Sequence, residues 1–208
     1  MVRVFVFRGQ DLTEPPEQPP AADQTPHLRQ LLEAGNVRAF NAAHRATRKA
    51  NPDFRLDLTG LTLTGIDLKS ADLPKANFAG ANLTRINFAR ADLKRSSFAG
   101  ANLTKVNFGE AMLKGVNFSG AILVRINFAG ADLSWSDFRR VKFLGADLSW
   151  TNLKGADLIG IDLTGIDLMG ADISAADFTG AKGADLTGAK RNKLTKGPDA
   201  REVWVITK

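Results

Sequence analysis

One feature governs what this chain can fold into: a large apolar residue every five positions. The stretch ANFAGANLTRINFARADLKRSSF, residues 76–98, shows it. The central residue falls at Leu58, Leu63, Leu68, Leu73 and Phe78 and continues without a slip to Phe178. That makes 25 consecutive pentads over residues 56–180, with Leu at 15 centres, Phe at 9 and Ile only at Ile173. The residue two before each centre is small or aliphatic, the one before is mostly Asp or Asn, and the fifth is Gly in 13 of the 25.

A period of five does not suit an α-helix, where a face recurs at 3.6 residues. Within a pentad the two apolar positions are two apart, which is strand spacing. The end of the pentad reads Thr-Gly, Ala-Gly or Lys-Gly, which is turn chemistry. Each pentad is therefore a very short strand and a tight turn. Repeats at this period stack into a solenoid, each coil pairing only with its neighbours.

The tandem motif A(D/N)LXX resembles the pentapeptide-repeat family, over about 60% of the chain. The resemblance implies an all-β solenoid, a right-handed quadrilateral β-helix. Twenty residues then make a coil, and residues 56–180 make about six coils, a rod roughly 30 Å long. Residues 1–55 read as a terminal strand, a Pro-rich linker and a two-helix cap, and residues 181–208 as an irregular basic tail with a terminal strand.

The register predicts the core. From Leu73 to Phe138 the centres alternate Leu and Phe. On a four-sided coil this stacks Phe78, Phe98, Phe118 and Phe138 on one face and Phe88, Phe108 and Phe128 on the opposite one. Pentads ending in Gly suit type II turns, whose third residue has positive φ. Pentads ending in Arg, Lys, Ser, Glu or Trp are expected to use a type I-like turn instead.

The ends need covering, because end coils expose core and unpaired backbone. Thr25-Pro26 reads as a helix start and Gly35 as a stop, giving a helix over about 26–34 with Leu28, Leu31 and Leu32 on one face. A second helix over about 37–50 follows Asn36 and stops before Asn51-Pro52. Residues 2–7, VRVFVF, and Val203-Trp204-Val205-Ile206 read as terminal strands, which either pair with each other or extend their own ends. Residues 11–25, with four Pro, read as an extended linker.

Composition excludes several classes. There is no Cys, hence no disulfide and no thiolate site. His27 and His44 stand apart in the cap, without metal-ligand spacing. No phosphate-loop, dinucleotide or nucleophile-elbow motif is present. Asp147, Asp157, Asp162, Asp167, Asp172 and Asp177 recur because the repeat recurs, and are expected to bond local backbone. The reading is a non-enzymatic protein with no cofactor. No apolar run at the N-terminus suits a leader or membrane span, so a cytoplasmic protein is expected.

Two surfaces stand out. Between residues 111 and 150 the consensus breaks: Met112 and Ile122 replace Asp or Asn, Val124 and Leu144 replace polar residues, and Trp135 and Trp150 replace Gly or basic residues, with Arg139, Arg140 and Lys142 among them. Exposed aromatics and aliphatics mixed with Arg suit a protein interface, with a partner or a second copy. The second surface is a basic ladder: Arg85, Lys105 and Arg125 on one corner, Lys75 and Arg95 on another, and Lys94 and Lys114 on a face. It could serve an acidic partner or nucleic acid.

The net charge is +6, yet residues 56–180 carry 13 basic and 13 acidic residues. Family members that protect DNA gyrase resemble duplex DNA and are strongly acidic. A neutral rod with a basic first half departs from them. The leading expectation is a protein-interaction scaffold, with topoisomerase protection and nucleic-acid binding as alternatives.

Overall fold

The computed structural model describes residues 23–198. The strand readings at 2–7 and 203–206, their mutual pairing and most of the 11–25 linker lie outside these residues. Two helices open the described chain, α1 (Thr25–Glu33) and α2 (Val37–Ala50). Pro26 occupies the first turn of α1, where its missing N–H costs nothing. The cap of α1 is Gln24 and not Thr25. Asn36 caps α2 by accepting from the Ala39 N–H at 3.1 Å. Leu28, Leu32 and Phe40 are fully buried, join the core below them and close its first coil.

The repeats form a four-sided parallel β-solenoid. One face carries short strands β1 (Thr62–Thr64), β2 (Asn82–Thr84), β3 (Asn102–Thr104), β4 (Ile122–Asn127) and β5 (Lys142–Asp147), paired in chain order with a step of twenty residues. This continuous sheet spans four turns. Isolated parallel bridges extend the stack from Asp57↔Asn77 to Asp177↔Lys196, slightly beyond the six coils expected. Past residue 180 the step shortens, from Asp162↔Lys182 to Asp172↔Lys190 and Asp177↔Lys196. The basic tail thus contributes a contracted coil of its own through residue 198. We number the faces in chain order from Leu58, Leu63, Leu68 and Leu73; the β-strands lie on face 2. Each corner takes the number of the face before it.

The Phe columns stand where the alternation puts them. Phe78, Phe98, Phe118 and Phe138 stack on face 1 with centroid spacings of 4.8, 5.2 and 5.4 Å, and Phe88, Phe108 and Phe128 stack on face 3 at 5.3 and 5.2 Å. The spacing follows from the coil repeat of about 4.8 Å. Rings from the two columns meet edge to face, as Phe98 and Phe108 do at 5.6 Å, an arrangement the ring quadrupole favours.

The corners correct one expectation. The fifth residue has positive φ in every pentad, the twelve without Gly included: Ser70, Lys75, Arg85, Glu110, Trp135 and Trp150 all lie between 53° and 60°. A type I turn has negative φ there, so it does not occur at these corners. The reason is the inter-coil ladder. At most corners the fifth-residue N–H donates to the coil above whether or not the residue is Gly, as in Lys75 to the Lys94 carbonyl at 2.8 Å and Trp135 to Lys154 at 2.9 Å. These bonds hold residues that would otherwise avoid left-handed backbone.

Candidate binding surfaces

The carboxylates that recur before each centre are structural. Asp147, Asp157, Asp162, Asp167, Asp172 and Asp177 each accept from the backbone N–H two residues on, at 2.8–3.1 Å. Asn residues at the same position add a vertical ladder, Asn127 to Asn107 at 3.0 Å and Asn107 to Asn87 at 3.1 Å. The Thr164 hydroxyl and N–H hold the Asp162 carboxyl below its usual pKa, and Thr187 does the same for Asp185. These groups are committed to turns and are not poised for proton transfer.

The nine consensus-breaking residues do not form one patch. Met112, Trp135 and Trp150 come together around face 4: Met112 on the face, Trp135 at its far corner and Trp150 at its near one, one coil up. Trp135 and Trp150 are 59% and 70% exposed. Ile122, Val124, Lys142 and Leu144 lie on face 2, the opposite side, where Ile122 pairs with Lys142 and Val124 with Leu144. Arg139 lies on face 1 and Arg140 on the corner between faces 1 and 2. The Arg139 guanidinium binds Asp137 at 2.7 Å and Asp157 at 3.4 Å, which keeps it on its own face and holds the Asp137 carboxyl low. The sequence reading grouped these residues by chain proximity, but ten residues along the chain is half a coil.

The basic ladder divides likewise. Arg85, Lys105 and Arg125 stack on corner 2, and Lys75 and Arg95 on the diagonal corner 4. Lys94 and Lys114 share face 4, with Lys94 tied to Asp92 at 3.1 Å. One member went unnoticed in the sequence: Arg55 precedes Lys75 by twenty residues and extends the corner-4 column into the first coil. Its position just ahead of the first pentad hid it. These cations flank a cleft of about 670 Å3 lined by Arg55, Asp57, Lys75, Asn77, Arg95 and Ser97.

Of the two histidines, His27 is exposed on α1, while His44 is buried on α2. The His44 ring stacks on Phe40 at 5.6 Å with a 5° interplanar angle. Burial, aided by the Arg48 charge, pushes its pKa down to about 4 against a weaker pull from Asp72. Arg48 itself pairs with Asp72 and fastens α2 to the first coil. Among the described residues no three His, Asp or Glu converge as metal ligands, and no helix is long and apolar enough to cross a membrane.

A four-sided coil of pentads with Leu or Phe inside and left-handed corners defines a class of repeat solenoid. The chain belongs to the pentapeptide-repeat family: the pentapeptide repeat region profile matches residues 71–148, and the eight-copy pentapeptide repeats profile matches 146–182 and 154–190. No curated protein matches it. Among solved structures it is similar to QnrB1, a plasmid-mediated fluoroquinolone resistance protein, at 19% identity over 67% of this chain and 83% of that one, with a TM-score of 0.33. It is also similar to HetL, involved in heterocyst differentiation regulation in Nostoc sp. strain PCC 7120, at 23% identity over 74% and 92%, with a TM-score of 0.25. A pentapeptide repeat protein of the Arabidopsis thaliana thylakoid lumen is 29% identical over 52% and 65%, with a TM-score of 0.27. Membership rests on the repeat profiles and the register, not on these superpositions.

Proposed function

We propose that this chain is a non-catalytic scaffold that binds a protein partner through face 4 and its two Trp corners. The observation that supports this is the exposure of Trp135 and Trp150 at corner positions that elsewhere hold Gly, a small residue or a charged one, with Met112 exposed on the same side one coil below Trp135. Aromatic anchors of this kind dominate the energy of protein interfaces. The carboxylates bonded to their own turns support a non-catalytic role. A cytoplasmic setting belongs to the same reading and is supported by a chain without cysteine. Protection of a topoisomerase by DNA mimicry is not adopted, because a mimic needs an acidic rod and these repeats carry equal numbers of both signs.

The test is affinity capture from source-cell lysate with wild type beside Trp135→Ser/Trp150→Ser. Ser is already tolerated at a left-handed corner, at Ser70 with φ 56°. A partner held by wild type and lost by the variant is the expected result. Equal capture by both, or none, would refute the proposal. Sedimentation of the two proteins separates a second copy of the chain from a foreign partner.

A further inference from the structure

We infer that the cleft along corner 4 of the first three coils binds a short linear polyanion, a chain of two or three phosphate groups. This site is separate from the two Trp: Trp135 stands two coils beyond Arg95 on the same corner and Trp150 further along on corner 3, while Met112 lies one coil above Asp92 on face 4. Arg55, Lys75 and Arg95 repeat at the coil step, about 4.8 Å, and so present positive charge over about 10 Å. That is the length scale of a triphosphate chain. The register is set by the bridges Asp57↔Asn77 and Asn77↔Ser97.

Three observations separate this column from an ordinary solvated surface. First, among the described residues none of its three cations makes an ion pair. The neighbouring corner shows that the fold can neutralise such charges, because Arg90 binds Glu110 one coil up at 2.9 Å. Second, the column borders a cleft, and all three of its cations line it. Third, the one carboxylate in the cleft is already occupied. Asp57 accepts from the Thr59 N–H at 3.0 Å, the Thr59 hydroxyl at 2.5 Å and the Asn77 amide at 3.3 Å. Ser97 stands where Asn77 and Asn117 stand in the adjacent coils, and it adds a short hydroxyl donor to the cleft wall. Unpaired cations with few competing acids attract phosphate oxygens through charge-assisted hydrogen bonds.

The column ends at Gly115, where a side chain would meet the Cγ of Arg95 at 3.7 Å. The site is therefore three coils long. This finite length favours a short chain over an extended nucleic-acid backbone, which would call for charges along the whole rod.

The experiment is titration calorimetry of the full chain with inorganic tripolyphosphate. The variants are Lys75→Gly/Arg95→Gly and, as control, Arg85→Gly/Lys105→Gly on corner 2. Both remove the same charge, and both place Gly where φ is positive, so folding is preserved. The expected result is saturable binding by wild type, weakened at least tenfold in the corner-4 variant and within twofold of wild type in the corner-2 variant. Absence of saturable binding, or equal weakening in both variants, would overturn the inference. An arm with ATP identifies the source of the phosphate chain. Tighter binding than tripolyphosphate means a nucleotide and equal binding means the phosphate chain alone; both support the site. Trp135→Ser/Trp150→Ser should bind tripolyphosphate like wild type, so failure of the scaffold reading leaves this one standing.

Discussion

Trp135 covers Gly155. A Cβ built on Gly155 would stand 2.7 Å from Cε3 and Cζ3 of the indole, and the same relationship repeats between Trp150 and Gly170 at 2.5–2.8 Å. Each pair is one coil apart on one corner. The indole lies over the corner above it, and only a glycine leaves room.

This relationship sets a test of corner packing. Gly160 has open space where a side chain would stand, so Gly160→Ala meets only the left-handed backbone, at a cost of about 1 kcal/mol. Gly155→Ala carries the same strain and also drives the indole off the corner, for a total of about 2 kcal/mol. In a Trp135→Ala background Gly155→Ala should cost no more than Gly160→Ala does. Urea denaturation of the four proteins of this cycle measures the coupling, expected near 1 kcal/mol. No coupling would mean that the indole makes no useful contact at the corner.

Phe108 offers the sharpest core test. Its ring stacks between Phe88 and Phe128 and meets Phe98 and Phe118 edge to face, at 5.6 and 5.9 Å. Five rings in contact cannot collapse into the space left by one. Phe108→Ala should cost about 4 kcal/mol, at the upper part of the range for such truncations. Chemical denaturation should show the full loss as a lower midpoint with one transition, because neighbouring coils unfold together.

His44 gives the cap a pH dependence of predictable sign. Its pKa falls from 6.5 to about 4 on folding. Between these values the unfolded chain binds more protons than the folded one, so stability is complete above about 6.5 and declines as pH falls toward 4. The loss is at most about 3 kcal/mol. His44→Phe keeps an aromatic on Phe40 and should flatten the melting curve over that window. The aspartates with lowered pKa titrate below it and leave it undisturbed. A wild-type melting temperature constant from pH 7 to pH 4.5 would contradict the assignment.

Legibility in the sequence followed periodicity. A strict period of five with alternating Leu and Phe carries the register, and the register alone places Phe78 under Phe98 and Phe88 under Phe108. Corner conformation was not legible, because Arg85 or Trp135 reads as a residue that avoids positive φ, while the bonds that impose it come from the next coil, twenty residues away. The candidate interface was half legible. Composition identified Trp135, Trp150 and Leu144 as exposed, but neighbours along the chain lie on different faces. Arg55 was missed for a related reason: its column starts before the motif does.

The stack has a gap on face 2, above β5. Gly65, Arg85 and Lys105 on corner 2 donate to Thr84, Thr104 and Val124 in the coil above, at 2.8–2.9 Å. Gly145, next but one in that column, makes no such bond to Thr164, and Lys142 has no bridge to Asp162 among the described residues. Phe143 is the cause. It is the one Phe in a column of Leu, it leans on Phe138 at 5.8 Å, and it is only half-buried where every other centre is buried. The larger ring does not fit a Leu slot and parts residues 142–145 from the coil above, while Asp147 at the end of β5 keeps its bridge to Asp167. The Phe143 and Gly145 amides should therefore exchange with solvent far faster than those of Phe128 and Leu148, which donate to Asp147 and Asp167 at 2.9 and 3.0 Å. Phe143→Leu should close the gap, slow exchange at residue 145 and raise stability by about 1 kcal/mol. Hydrogen exchange on wild type and variant decides it: equal protection at residues 128 and 145 in wild type would show that the sheet runs on unbroken through β5.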